Sequence, residues 1–153
     1  MMAFTPDNGG QRDVEQHGIR LLADREHSRL ELRRKLLARD YDPLDVEDAL
    51  HSLENQGLLS DERFTEQYVN VLKRKGFGPL RIRSLLRERG INDTMIHEWV
   101  DNREDEWRHQ MTETARNKLG LDTGKDFNEK SKIARYLEYR GYPESMIRDY
   151  LFD

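Results

Sequence analysis

The sequence predicts an all-α fold, an elongated array of three tandem three-helix repeats, and three observations carry that expectation. Apolar residues recur at three- and four-residue spacing from Val14 onward, and no segment alternates as a half-buried strand does. A segment made of a helix, a glycine turn and a second helix returns after 51 residues, the mark of an array. Charged residues make up 37% of the 153-residue chain, against a usual level of about 25%, so the apolar core is thin and suits stacked units better than a deep sphere.

Residues 1–13 carry Pro6, Gly9 and Gly10 without a basic segment leading into an apolar run, so a disordered tail is expected there rather than a secretory signal. Ile19, Leu22 and Ala23, then Leu32 and Leu36, then Val46, Ala49, Leu50 and Leu53 mark the helices of the first repeat, expected over 14–59. Ser60 ahead of Asp61 and Glu62 is a good helix start, because its hydroxyl satisfies a free N–H and the acids favour the positive helix end. Phe64, Tyr68, Val71 and Leu72, then Ile82, Leu85 and Leu86, then Met95, Ile96, Trp99 and Val100 mark the second repeat, over 60–103. In the third, over 104–153, Trp107, Met111 and Leu119 share one helix, a longer glycine-containing loop covers 120–127, and Ile133, Ala134, Leu137 and Tyr139 precede a short final helix with Met146, Ile147, Tyr150 and Leu151. That makes about nine helices. Gly57, Gly76, Gly90 and Gly141 are placed to close them.

The repeat is legible residue by residue. Leu85-Leu86-Arg87-Glu88-Arg89-Gly90-Ile91, followed by Met95 and Ile96, returns as Tyr136-Leu137-Glu138-Tyr139-Arg140-Gly141-Tyr142, followed by Met146 and Ile147. A degenerate first copy reads Lys35-Leu36-Leu37-Ala38-Arg39-Asp40-Tyr41 with Val46, and there Asp40 stands in the glycine's place. Each copy reads as an amphipathic helix, a glycine C-cap, an apolar residue tucked back onto the helix and a further helix.

Composition narrows the chemistry. Without cysteine the chain has no disulfide, thiolate nucleophile or Cys zinc site, and an intracellular, cytoplasmic location is expected. No run of about 18 apolar residues occurs, so no membrane partner is expected. The five histidines share no short ligand spacing, and the acids Asp42, Asp45, Glu47 and Asp48 lack the glycine and terminal glutamate of an EF-hand loop; neither set predicts a metal, and no cofactor is expected. Phosphate-cradling glycine loops and nucleophile elbows are missing too, so binding rather than catalysis is expected.

The net charge of −4 hides a segmented pattern: residues 40–66 hold nine acids against Arg63 alone, whereas 73–89 hold seven bases against Glu88. A concentrated basic block in an acidic protein points to an anionic partner, although a solvated helical face is the commoner meaning of a charge run. Lys73, Arg74, Lys75, Arg81, Arg83 and Arg87 form the block, and Gly76, Gly78 and Gly90 shape its loops. Ile82, Leu85 and Leu86 would face inward, leaving Arg83 and Arg87, four apart and without intervening acids, on the other side. Residues 80–100 also have the lengths of a helix-turn-helix, but Glu98 and Asp101 with hardly a cation suit a major groove poorly.

The chain resembles the RecX family, bacterial regulators of the RecA recombinase, over 14–153. The resemblance rests on Leu22-Ala23-Asp24-Arg25-Glu26-His27-Ser28 leading to Glu31-Leu32-Arg33-Arg34-Lys35-Leu36, on Gly57-Leu58-Leu59-Ser60-Asp61-Glu62-Arg63-Phe64, on Arg74-Lys75-Gly76-Phe77-Gly78-Pro79 through Gly90 and Ile91, and on the closing Tyr139-Arg140-Gly141-Tyr142. It implies three tandem three-helix repeats and binding to RecA and its nucleoprotein filament, limiting filament extension, ATP hydrolysis, strand exchange and coprotease activity. On that reading the basic block meets RecA acids or DNA phosphates in the filament, and Arg33, Arg34 and Lys35 extend it in the first repeat. The alternative is a protein that binds single-stranded DNA directly through the same cations. A monomer is expected, since an array with exposed faces engages a partner without a symmetric interface.

Overall fold

The computed structural model describes residues 8–120 and 126–152. Among them are nine helices and no strand: α1 (Asn8–Asp24), α2 (Arg29–Leu37), α3 (Pro43–Asn55), α4 (Asp61–Arg74), α5 (Pro79–Glu88), α6 (Asp93–Val100), α7 (Glu104–Leu119), α8 (Phe127–Arg140) and α9 (Glu144–Phe152). The segment expected to be a disordered tail is helical from Asn8, while residues 1–7 lie outside the described residues. The reason is packing: Val14 and His17 are buried, and Gly18 lets α1 approach α3 so closely that a Cβ there would lie 2.8 Å from Leu53 Cδ1. A helix anchored so firmly on its apolar face extends past Gly9 and Gly10 despite their poor propensity. Residues 121–125 of the long loop also lie outside the described residues.

Packing divides the chain into two compact units. The first holds the described residues up to Thr65 together with Arg89–Ile91. Its core gathers Val14, Leu32, Leu36, Val46, Ala49, Leu50, Leu53 and Leu59, with Ile19, Leu21, Leu22 and Tyr41 closing over it. Local rules set the helix starts. Ser28 accepts from the Glu31 N–H at 3.1 Å while Glu31 Oε1 accepts from the Ser28 N–H at 3.0 Å, a complete capping box. Asp42 caps α3 and Pro43 takes its first turn, where a missing N–H costs nothing. The acids at 42 and 45 therefore serve the start of α3, as their position suggests.

The second unit comprises Glu66–Glu88 and the described residues from Asn92 on. Ile82, Leu86, Ile96, Val100, Trp107, Met111, Ala115, Ile133, Leu137 and Tyr142 are buried in it. Trp107 is a core residue whose indole N–H donates to Val100 O at 2.8 Å.

Both units contain the same contact. A Cβ on Gly90 would lie 2.8 Å from Leu30 Cβ, and one on Gly141 would lie 2.4 Å from Arg81 Cβ and 2.6 Å from Arg81 N. Gly90 and Gly141 are 51 apart in sequence, and so are Leu30 and Arg81. Each glycine is left-handed, at φ 79° and 103°, and each is pressed against the beginning of a helix. Asp40, at the corresponding place in the first copy, keeps the left-handed backbone with φ 62° but is exposed. The turn conformation is thus common to all three copies, whereas the demand for glycine itself comes from a close neighbour, the Leu30 side chain at Gly90 and the Arg81 backbone at Gly141.

Candidate partner-binding site

The basic block begins where α4 stops. Gly76 adopts φ 86°, its N–H donates to Lys73 O at 2.9 Å, and the Phe77 N–H reaches back to Leu72 O at 3.0 Å; this is a Schellman close. The loop then lies along the turn after α8. Gly78 N–H donates to Arg140 O at 2.8 Å and Leu80 N–H to Gly141 O at 2.9 Å. Gly78 is glycine for space and not for backbone angle, because a Cβ would sit 2.6 Å from Gly141 O. The loop carbonyls are satisfied in order: Lys75 O by the Arg140 guanidinium, Gly76 O by the Tyr142 hydroxyl at 3.0 Å, and Phe77 O by the Gln110 amide at 2.8 Å. Arg140 also lies 4.1 Å from the centre of the Phe77 ring. Tyr142 is buried, accepts from Gln110 at 2.9 Å and lies 3.2 Å from Thr114 Oγ1; burial pushes its phenol above the ordinary value. The loop that joins the cations of α4 to those of α5 is thus anchored by backbone and side chain alike.

They do not share one fate. Lys73 is half-buried, 2.5 Å from Glu106 and 4.9 Å from the centre of the Trp107 ring, and holds the Glu106 carboxyl below the usual carboxylate range. Arg83 is also half-buried and paired with Asp101, which His97 Nδ1 meets at 2.9 Å on its other oxygen. Burial by itself would raise the Asp101 carboxyl; His97 and Arg83 outweigh it and keep it low. No acid lies between Arg83 and Arg87 on α5, but α6 brings Asp101 to the first and Asp93 to within 3.4 Å of the second. Arg87 and Asp93 are both well exposed, so their pair is worth little, about 0 to 1 kcal/mol.

Arg74, Lys75 and Arg81 are exposed. Arg81 packs beside the Phe77 ring at 5.8 Å, whereas Arg74 and Lys75 have no ion-pair partner among the described residues. Arg74 and Lys75, together with Asn117 and Lys118 of α7 and Tyr136 of α8, line an open cleft of about 280 Å³. Lys118, Asn117 and Tyr136 were not expected from the sequence, because nothing local links α7 to the end of α4.

The three first-repeat cations lie in the first unit and divide likewise. Arg33 is paired with Glu47 at 2.7 Å, and Lys35 Nζ donates to His27 Nε2 at 2.8 Å. Arg34 is exposed and without an ion-pair partner among the described residues. No cluster of metal-binding side chains occurs among the described residues, and no helix of these is long and apolar enough to cross a membrane.

A repeated three-helix pattern with glycine turns, with exposed cations on either side of an anchored loop, defines an all-helical repeat protein. Two sequence-family profiles match it: one described as the first three-helix domain of RecX over residues 16–53, the other as its second three-helix domain over 60–98. The Regulatory protein RecX of Pseudomonas syringae pv. tomato is 37% identical over 134 residues, covering 88% of this chain and 86% of the relative. That of Cronobacter sakazakii is 35% identical over 152 residues, covering 93% and 92%. The crystal structure of RecX from Lactobacillus salivarius superposes with a TM-score of 0.78 at 18% identity, covering 92% of this chain and 94% of that one. The chain belongs to the RecX family of regulatory proteins.

Proposed function

We propose that this chain is a regulator of RecA that binds the recombinase and its nucleoprotein filament and limits filament extension, and with it ATP hydrolysis, strand exchange and coprotease activity. It acts as a cytoplasmic monomer in homologous recombination, DNA repair and the SOS response, built as repeats over 14–59, 60–103 and 104–153. Family membership supports the reading, and the observation that carries the site is the anchored loop with exposed Lys75, flanked by exposed Arg74 at the end of α4 and exposed Arg81 and Arg87 on α5. Cations held on a rigid base lose little further entropy when an anionic partner arrives, so their charge goes into affinity and encounter rate. In the first unit, taken by itself, Arg33, Arg34 and Lys35 are the corresponding cations, with Arg34 the most available.

ATP hydrolysis by RecA on single-stranded DNA, titrated with this protein, tests the reading. Wild type suppresses hydrolysis, and the double reversal Arg81→Glu with Arg87→Glu raises the concentration for half-suppression about tenfold or more, an effect of at least about 1.4 kcal/mol. If a folded double variant suppresses as wild type does, the site assignment is wrong; if wild type leaves hydrolysis untouched, the regulator reading is wrong.

A further inference from the structure

We infer that the cleft between the end of α4 and the last turns of α7 is a subsite for the sugar–phosphate backbone of single-stranded nucleic acid, with Arg74, Lys75 and Lys118 meeting phosphates. This deepens the reading of the basic block as a partner surface and rests on it. The cleft is an open concavity of about 280 Å³. Its three exposed cations have no ion-pair partner among the described residues, and the one acid lining it, Glu113, is held by Arg116 at 2.9 Å.

Three like charges around a concavity repel one another, a cost that an incoming anion reverses. Bare carbonyls in the loop after α4 would oppose an anion. Those of residues 75–77 are capped by Arg140, Tyr142 and Gln110, which removes much of that negative potential. Lys73 lies at the same wall but is held by Glu106, so it contributes less.

The remaining lining distinguishes a strand from an acidic protein face. Asn117 offers an exposed amide without a side-chain partner among the described residues, and Tyr136 offers a half-buried ring. Cations that follow a backbone, beside an aromatic that receives a base, are the usual means of holding single strands without sequence preference. A protein partner would have to project carboxylates into the concavity, and would leave the exposed part of the ring, whose centre lies 5.9 Å from the Arg140 guanidinium, without a stacking partner of its own.

The test is fluorescence anisotropy of a labelled oligothymidylate with the full chain, RecA absent, between 50 and 200 mM salt. Wild type is expected to bind, and Lys75→Gln and Lys118→Gln are each expected to weaken binding three- to tenfold and to lower the log–log salt slope by about 0.7 per lost phosphate contact. Arg148→Gln, on α9 and outside the cleft, leaves both unchanged, and circular dichroism of each variant verifies the fold. The inference is overturned if wild type does not bind at 50 mM salt, or if both cleft variants bind with wild-type affinity and slope. Should those variants lose suppression of RecA hydrolysis while retaining oligonucleotide affinity, the occupant is an acidic protein surface and the inference fails in that way. Suppression without oligonucleotide binding leaves the regulator reading standing and removes the subsite; the reverse pattern does the opposite.

Discussion

Glycine serves different ends at different positions in this chain, and the distinction predicts which substitutions are tolerated. Gly57 has φ 74° but open space where a Cβ would go, so Gly57→Ala meets only the left-handed penalty, about 1 to 2 kcal/mol. Gly141 adds a clash with the backbone of Arg81, which no side-chain rotation relieves. Gly141→Ala is therefore expected to lose about 2 to 5 kcal/mol in urea unfolding, the sum of backbone strain and overpacking, with Gly57→Ala well below it. Equal losses would show that the close approach of Gly141 to Arg81 contributes nothing.

His27 makes the stability of the first unit depend on pH. Its Nδ1 lies 3.0 Å from Arg25 O and its Nε2 lies 2.8 Å from Lys35 Nζ, so the proton sits on Nδ1 and Nε2 accepts from the ammonium. Burial lowers its pKa below 6.5, helped by Arg25 and Lys35 and opposed by the Arg25 carbonyl and Glu31. The unfolded chain then binds the proton more readily than the folded one. Stability from this group is complete above about pH 6.5 and falls as pH drops from there towards the lowered folded value. His17 shifts the same way, through burial and the nearby Arg39 and Arg20. Denaturant midpoints measured from pH 7.5 to 5 should fall, and His27→Gln should flatten the curve; an unchanged slope in that variant refutes the assignment.

Among the elements, the short helices depend on packing more than on propensity. A helix of 10 residues such as α5 is marginal alone, and Ile82 and Leu86, both fully buried, hold it in the second unit. Leu86→Ala is expected to cost about 2 to 5 kcal/mol, read as a shift in the urea midpoint by tryptophan fluorescence. Both tryptophans, Trp99 and Trp107, lie in that unit, so the probe reports where the cavity is made. A loss below about 1 kcal/mol would mean that the site collapses around the missing side chain. Leu36 and Leu137, at the corresponding places of the other copies, are equally buried.

Across the whole molecule, charge is sorted rather than balanced, and the structure shows that formal charge and available charge differ. In the second unit Lys73 and Arg83 are taken up internally, while Arg74, Lys75 and Lys118 are exposed without an ion-pair partner among the described residues. Because exposed charges are screened within about 8 to 10 Å at physiological salt, the effect of the Arg81 and Arg87 reversal on RecA should shrink as salt rises. Measuring the suppression of hydrolysis at two salt concentrations tests that directly. A salt-independent effect would point to lost packing instead of lost charge.

Helices, glycine turns and the repeat were legible in the sequence because their causes are local. A period of 3.6 residues places Leu32 and Leu36, or Ile82 and Leu86, on one face, and a left-handed turn selects glycine, or Asp40, wherever it occurs. RecX membership followed from motifs of the same short range. The helical start at Asn8, the demand for glycine at 78 and 141, and the division of the cations were decided only by tertiary structure. Arg83 meets an acid 18 residues away, Lys73 one 33 away, and the cleft joins residues 74 and 118. Such pairings depend on how helices pack, and no periodicity along the chain encodes which of several like cations a distant carboxylate will reach.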